Sequence, residues 1–303
     1  MAKYLLKRVL MAALTLFIIA TITFFIMFLV PGGPFLSEKV SPQMVAVMNA
    51  SYGLDQPVYI QYKNYLAKLL EGDFGISFKR KGYTVMEIIS EKFPISAQVG
   101  AYAIGLSMLM GIPLGVLAAY KRNKLIDRII MFICTLGIAL PGFVVATTLL
   151  YTLGMNLQWL PIVGLKTPSN YIMPVFALSL SPTCYITRLM RSSMLDVMGQ
   201  DYLKTARAKG LRESVVLFKH GLRNSLIPVV TYLGPMVTAV LTGSFVVERI
   251  FSIPGLGGYF ISSIGGRDYP MIMGTTIFLG GLLIAANLVV DILYTIIDPR
   301  IKY

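Results

Sequence analysis

The spacing of charged residues constrains this chain more than any other feature. Stretches without a single Lys, Arg, Asp or Glu run over 9–30, 93–120, 129–165, 167–187, 224–247 and 269–290. A helix needs about 20 residues to cross a hydrocarbon core ~30 Å thick, and every stretch is that long. A backbone amide finds no water inside such a core, so apolar runs of this length must be helical. The alternating pattern of barrel strands is absent. The run 129–165 is too long for one crossing and too short for two with a turn. It reads as a helix over about 129–154, followed by an outer loop with Trp159 at the interface.

Composition agrees with this reading. Charged residues make up 14% of the chain, against about 25% in soluble domains, too few to coat a water-exposed globule. The sign of the charges then orients the spans. With the N-terminus inside, the cytoplasmic segments hold Lys3, Lys7 and Arg8, then Lys121, Arg122, Lys124 and Arg128, then a dense group from Arg188 to Arg223, and finally Arg300 and Lys302. The short outer loops carry only Lys166, Arg249 and Arg267, and the basic residues of 31–92 are nearly balanced by acids. The expectation is an all-α membrane protein with six transmembrane helices and both termini cytoplasmic. The net charge of +13 therefore reflects the inner side of a membrane and argues against a nucleic-acid partner. The lipid bilayer is the first partner implied.

The apolar core of 1–30 exceeds the 7–15 residues of a signal peptide, and no A-x-A-like site follows it, so the segment reads as an uncleaved first helix. Residues 31–92 form an extracytoplasmic segment, punctuated at 31–34, 53–57 and 72–75. An amphipathic helix is expected over 57–70, with Tyr59, Tyr62, Leu66 and Leu69 on one face. Residues 93–298 hold five spans, at about 98–120, 129–154, 171–190, 226–248 and 271–296, and 299–303 form a cytoplasmic tail. There is no clear internal repeat of the kind found in secondary transporters.

The loop at 188–228, between the fourth and fifth spans, is about forty residues long where a connection needs only a few. Its punctuation is that of a short capped helix. Gly199 interrupts span four, Asp201 is suited to the N-cap, and Gly210 is suited to a left-handed C-cap. Between them lie Tyr202, Leu203, Lys204, Thr205, Ala206, Arg207, Ala208 and Lys209, with Ala206 as a compact knob edged by Arg207, Lys209 and Arg212. A second amphipathic piece over 213–222 leads into span five. Such a helix serves either to dock into a groove on a cytoplasmic partner or to lie among anionic headgroups, and the residues alone leave both open.

The run from Asp201 to Leu211, followed by Arg223-Asn224-Ser225-Leu226-Ile227-Pro228, resembles the "EAA" loop of binding-protein-dependent ABC transporter permeases, and in particular the dipeptide/oligopeptide/nickel family. Residues 53–57, 72–77 and 248–257, Arg267-Asp268-Tyr269-Pro270 and Asp298-Pro299-Arg300 resemble the same family in the same order along the chain. Lys204 and Thr205 stand where the general motif has Glu and Ala, and the spacing from Gly210 to Pro228 is longer than in that motif; both features resemble the peptide subfamily. The resemblance implies a type I ABC importer permease fold and the role of first permease subunit in an oligopeptide or dipeptide importer. It also implies three kinds of partner: a second homologous permease subunit, two ATP-binding cassette ATPase subunits, and an extracytoplasmic solute-binding protein. Residues Asp201, Tyr202, Lys204, Thr205, Ala206, Arg207, Ala208, Lys209, Gly210, Leu211 and Arg212 would then couple the ATPases to the spans.

No G-x-x-x-x-G-K-[ST] motif is present, so ATP hydrolysis is expected on separate subunits, with no cofactor bound by this chain. The glycines at 255, 257 and 258 read as a tight or re-entrant outer turn. His220 stands alone, and Cys134 and Cys184 fall within spans as small packing residues, so no metal site is indicated. Asp291 is the one acid inside a span. It either forms a structural ion pair or takes part in a substrate or proton path, and the latter would make the chain a proton-coupled secondary transporter. Glu248 reads as interfacial. Pro141-Gly142 and Gly234-Pro235 are either packing kinks or bends lining a pathway, with Asn287 a further pathway candidate. A membrane scaffold that only docks a partner is the remaining alternative.

Overall fold

The computed structural model describes residues 2–29, 33–35 and 41–297. The expected tail at 299–303 and the motif residues Asp298, Pro299 and Arg300 lie outside them. The helices are α1 (Ala2–Leu29), α2 (Pro42–Ser51), α3 (Val58–Leu70), α4 (Val85–Tyr120), α5 (Leu125–Ala139), α6 (Gly142–Leu149), α7 (Ile172–Met198), α8 (Asp201–Ala208), α9 (Ile227–Ile250), α10 (Leu256–Gly266) and α11 (Tyr269–Ile297). Helical turns at Leu150–Asn156 and Val216–Gly221 have π register. Among the described residues, strand-type pairing is limited to an isolated bridge between Ile76 and Thr84.

Helix starts follow local chemistry. The Ser41 hydroxyl accepts the Met44 N–H at 3.3 Å, with Pro42 at the first helical position of α2. Before α4, Glu87 Oε2 accepts the Thr84 N–H at 2.8 Å while Thr84 Oγ1 accepts the Glu87 N–H at 3.2 Å, a reciprocal capping box. Among the described residues, five helices are long and apolar enough to cross a membrane, and α5 with its continuation from Gly142 makes a sixth if the bent pair is one span.

That bend corrects the single helix expected over 129–154. The two arms meet at 99°. Pro141 has no N–H to donate and disfavours helical backbone at Leu140, so the α5 ladder ends there and a new helix starts at Gly142.

The chain divides into two compact units, Met1–Pro94 with Gly258–Ile284, and Ile95–Gly257 with Ala285–Tyr303. In the first, aromatic rings weld α3 to α1. Phe24 lies 5.2 Å from Tyr62 and 5.6 Å from Tyr65, and Thr21 shares a 2.7 Å hydrogen bond with the Tyr62 hydroxyl. Tyr59, expected on the same face, is exposed instead. Asp268 is buried at the start of α11. It accepts from the Ser77 hydroxyl, from Phe78 N at 3.0 Å and from Lys79 N at 3.3 Å, tying the turn at 77–79 to that helix.

The second unit is organised around α7, whose Met173, Ile186, Met190 and Met194 are buried in its core. Glycines let the neighbouring helices approach closely, as small residues do in membrane bundles. A Cβ added at Gly111 would lie 2.8 Å from Ile186 Cγ2, one at Gly115 would lie 2.5 Å from Met190 Cβ, and one at Gly137 of α5 would lie 2.5 Å from Cys184 Sγ. Cys134 and Cys184 are both free and buried.

Candidate functional site

The segment after α7 is built as a rigid projection. α7 ends at Met198 with Gly199 as its cap. Gln200, with extended backbone (φ −75°, ψ 146°), occupies the N-cap of α8. This corrects the expectation for Asp201, which is the first helical residue. Its carboxylate accepts from Lys204 Nζ at 2.8 Å and favours the positive end of the helix dipole without capping an N–H. Leu203 and Ala206 point inward and are buried against Val216, with Val197 packed beside them. Ala206 is therefore the anchor of α8 and not its exposed knob. The outward surface consists of Asp201, Tyr202, Lys204, Thr205, Ala208, Lys209, Gly210, Leu211 and Arg212.

Three contacts hold this projection. The Tyr202 hydroxyl accepts from Asn224 Nδ2 at 2.9 Å, tying α8 to the helical stretch ahead of α9. Arg207 forks onto Glu213, with Nη2 2.9 Å from Oε1 and Nε 3.2 Å from Oε2. Glu213's hydrogen bond raises the Arg207 pKa above its ordinary value. Gly210, at φ +76°, donates to Arg207 O at 2.9 Å and turns the chain out of the helix. A Cβ on Gly210 would meet nothing within 4 Å, so a substitution there pays only for the left-handed backbone. Gly210→Ala is expected to cost about 1–2 kcal/mol, read as a lowered melting temperature of the purified protein. A variant as stable as wild type would show that the turn relaxes.

The linker from 213 to 225 is helical almost throughout, with the π turn at Val216–Gly221 burying Val216 and Leu217. Gly221 lies against Met194 of α7, and buried Ser225 donates to Gly221 O at 3.0 Å. His220, half-buried, sits in the π turn.

α7 is fastened to α5 by a pair that the sequence reading missed. Arg191 donates from Nε to Asp127 Oδ1 at 2.6 Å and from Nη2 to Asp127 Oδ2 at 2.7 Å. The Asn123 N–H donates to the same carboxylate at 2.8 Å, and Asp127 is 2% exposed. An acid lodged between Lys124 and Arg128 in a basic loop was the available signal. The bidentate geometry fixes both the distance and the orientation of the two helices.

Glu248, expected to be interfacial, is fully buried within the protein, and its Oε2 accepts the Gly257 N–H at 2.9 Å, while Ser96 Oγ accepts the Leu256 N–H at 2.9 Å. The glycines read as an outer turn thus open α10, with a carboxylate at its N-terminus. A Cβ at Gly255 or Gly257 would fall 2.5 Å from Glu248 Oε2 or from Phe245 Cα respectively. Among the pathway candidates, Pro141, Gly142, Pro235 and Asn287 are exposed, and Gly234 is buried. The side chain of Asp291 lies outside the described residues, though its backbone belongs to α11.

Apolar helices long enough to cross a membrane, two of them joined by a braced linker that carries a short helix, define a polytopic membrane protein. The chain belongs to the binding-protein-dependent transport system inner membrane components: residues 111–303 match that family, and residues 1–100 match its N-terminal membrane component. It is the transmembrane subunit of an ATP-binding cassette importer and a multi-pass membrane protein, which leaves the proton-coupled alternative without support. It is 45% identical over 302 residues to the dipeptide transport system permease protein DppB of Lactococcus lactis subsp. cremoris, covering 100% of both chains. It is 43% identical to DppB of Bacillus subtilis, covering 100% of this chain and 98% of that one. It is 42% identical over 306 residues to the oligopeptide transport system permease protein OppB of Haemophilus influenzae, with both chains fully covered. The fold resembles that of the inward-facing MetNI methionine ABC transporter, with a TM-score of 0.58 at 16% identity over 70% of this chain and 97% of that one.

Proposed function

We propose that α8 is the coupling helix of a peptide importer and docks into a groove on an ATP-binding cassette ATPase subunit. The observation that carries this reading is the division of labour within α8. Leu203 and Ala206 anchor it, while Tyr202, Ala208 and Leu211 stand outward in a basic surround of Lys204, Lys209 and Arg212. A helix that merely lay among lipid headgroups would need neither the fork of Arg207 on Glu213 nor the tie from Asn224 to Tyr202. Peptide is the substrate class favoured by the full-length relatives, which are named for dipeptide and oligopeptide transport.

In this reading the chain supplies half of the translocation pore and a second homologous permease subunit supplies the other half. Two ATPase subunits engage the cytoplasmic side, and an extracytoplasmic solute-binding protein delivers the peptide. ATPase closure acts as differential binding between inward- and outward-facing states. It reaches α7 through α8, and α5 through Arg191 and Asp127. Ala208→Glu places a charge on the outward face without touching the anchor. It is expected to weaken co-purification of the ATPase subunits by about tenfold or more while leaving membrane insertion intact. Undiminished co-purification would remove α8 from the docking surface.

A further inference from the structure

Much of α7 is buried in its unit; Ile172 and Phe176 are exposed near its start, but the exposed face of its second half is polar. Tyr185, Arg188 and Ser192 are all exposed, and their spacing of three and four residues stacks them on one face of the helix. All three lie on the 31-residue apolar helix Pro168–Met198, with Arg188 and Ser192 in its last third. The neighbouring α5 behaves as a lipid-facing helix should, since its exposed side chains include Ile126, Ile129, Phe132, Ile133 and Leu136. The contrast within one unit singles out α7.

The face is also shaped. Tyr232 of α9 stacks on Tyr185 with ring centroids 4.3 Å apart and planes at 30°, which fixes the ring. A cavity of about 320 Å³ opens alongside, lined by Ile138, Tyr185, Arg188, Leu189 and Ser192. Among the described residues Arg188 forms no ion pair. An unpaired guanidinium on an apolar helix is costly wherever acyl chains would cover it and is accommodated where the helix faces a bundle interior or a water-filled cavity. Tyr, Arg and Ser are the groups that recognise a peptide: an aromatic face for its side chains, a hydroxyl for its amides and a fork for its carboxylate.

We propose that Tyr185, Arg188 and Ser192 line the translocation path, and that Arg188 holds the terminal carboxylate of the transported peptide. This deepens the peptide-importer reading and rests on it. None of the six pathway candidates picked from the sequence belongs to this face.

The test uses the assembled transporter in proteoliposomes, with single cysteines introduced by Arg188→Cys and Ser192→Cys and, as controls, Phe132→Cys and Ile133→Cys. A membrane-impermeant charged thiol reagent is applied, and the unsubstituted chain with its buried Cys134 and Cys184 sets the background. Labelling of 188 and 192 well above both controls is expected. Labelling no faster than at 132 and 133 would overturn the proposal, and reactivity in the isolated chain that vanishes in the complex would show that the second permease subunit covers the face. Separately, Arg188→Ala is expected to raise the KM for a free-acid peptide roughly tenfold or more and to change little for its C-terminally amidated form, with Arg188→Lys recovering part of the loss. An equal loss for both peptides would overturn the carboxylate assignment. If the unsubstituted complex took up no peptide at all, the importer reading would fail, while the labelling result would still decide whether the face is wet.

Discussion

Replacing Asp127 with alanine is expected to destabilise the protein by about 3–5 kcal/mol, the cost of breaking a buried ion pair from one side. The lower end of that range applies, because the Arg191 side chain keeps 24% of its exposure and takes up part of its lost solvation from water, whereas the Asp127 side chain keeps 3%. Two further losses add to the charge. The Asn123 N–H, held at 2.8 Å by the same carboxylate, loses its partner at a residue with φ 63°. The α5 start also comes away from α7. Asp127→Asn retains an acceptor oxygen and is expected to lose less. The double variant Asp127→Ala with Arg191→Met leaves no orphaned charge and is expected to be more stable than Asp127→Ala alone, a coupling that a double-mutant cycle reads directly. Melting temperatures in detergent of the wild type, these three variants and Arg191→Met alone measure the effects and complete the cycle. An Asp127→Ala variant that melts with wild type would show that the pair does not hold the helices.

Gly115→Leu is expected to disrupt the bundle at α4 and α7. The first added carbon would lie 2.5 Å from Met190 Cβ and 2.8 Å from Thr187 O. The second contact decides the sign, because a backbone oxygen in the middle of α7 has no rotamer through which to move aside. Overpacking of a core costs about 1–3 kcal/mol and sometimes more, and here the leucine must separate two helices. Even Gly115→Ala is expected to destabilise, although a helical Gly→Ala change ordinarily gains about 0.5–1 kcal/mol. Gly105 provides the control. It lies on the same helix, and an added Cβ there would meet nothing within 4 Å, so Gly105→Ala is expected to be neutral or stabilising. Opposite signs at 105 and 115 in one melting series would establish that α4 is pressed against α7 at Gly115. The same sign at both would contradict it.

What the sequence made legible was the part governed by solvent. The long uncharged runs follow from the bilayer alone, and the helix at α8 was readable from Gly199 and Gly210 because caps are local. What it concealed was partnership across distance. Asp127 and Arg191 lie 64 positions apart, so nothing in either neighbourhood announces the pair. Glu248 stands beside Arg249 and reads as a wet residue until the chain returns and Gly257 donates to it. Ala206 looked like a knob because small residues suit exposed docking, yet they suit close packing equally, and the π turn that buries it has no sequence signature. Pro141 was recognised as a loosening of its helix, but the size of the bend depends on where α6 finds its partners. The Tyr185, Arg188 and Ser192 face went unread because Arg188 closes an uncharged run and counts first as an inner-side cation.

If α8 is the coupling helix, motion enters this chain through its outward face, driven by ATP on other subunits. The most direct measurement is peptide uptake by the reconstituted complex at fixed ATP, comparing the unsubstituted chain with Ala208→Glu while ATP hydrolysis is recorded, each with and without a protonophore. Uptake is expected to ignore the protonophore and to be lost in Ala208→Glu with the complex still inserted. Undiminished uptake in Ala208→Glu, or uptake that collapses with the protonophore at constant ATP, would contradict this account.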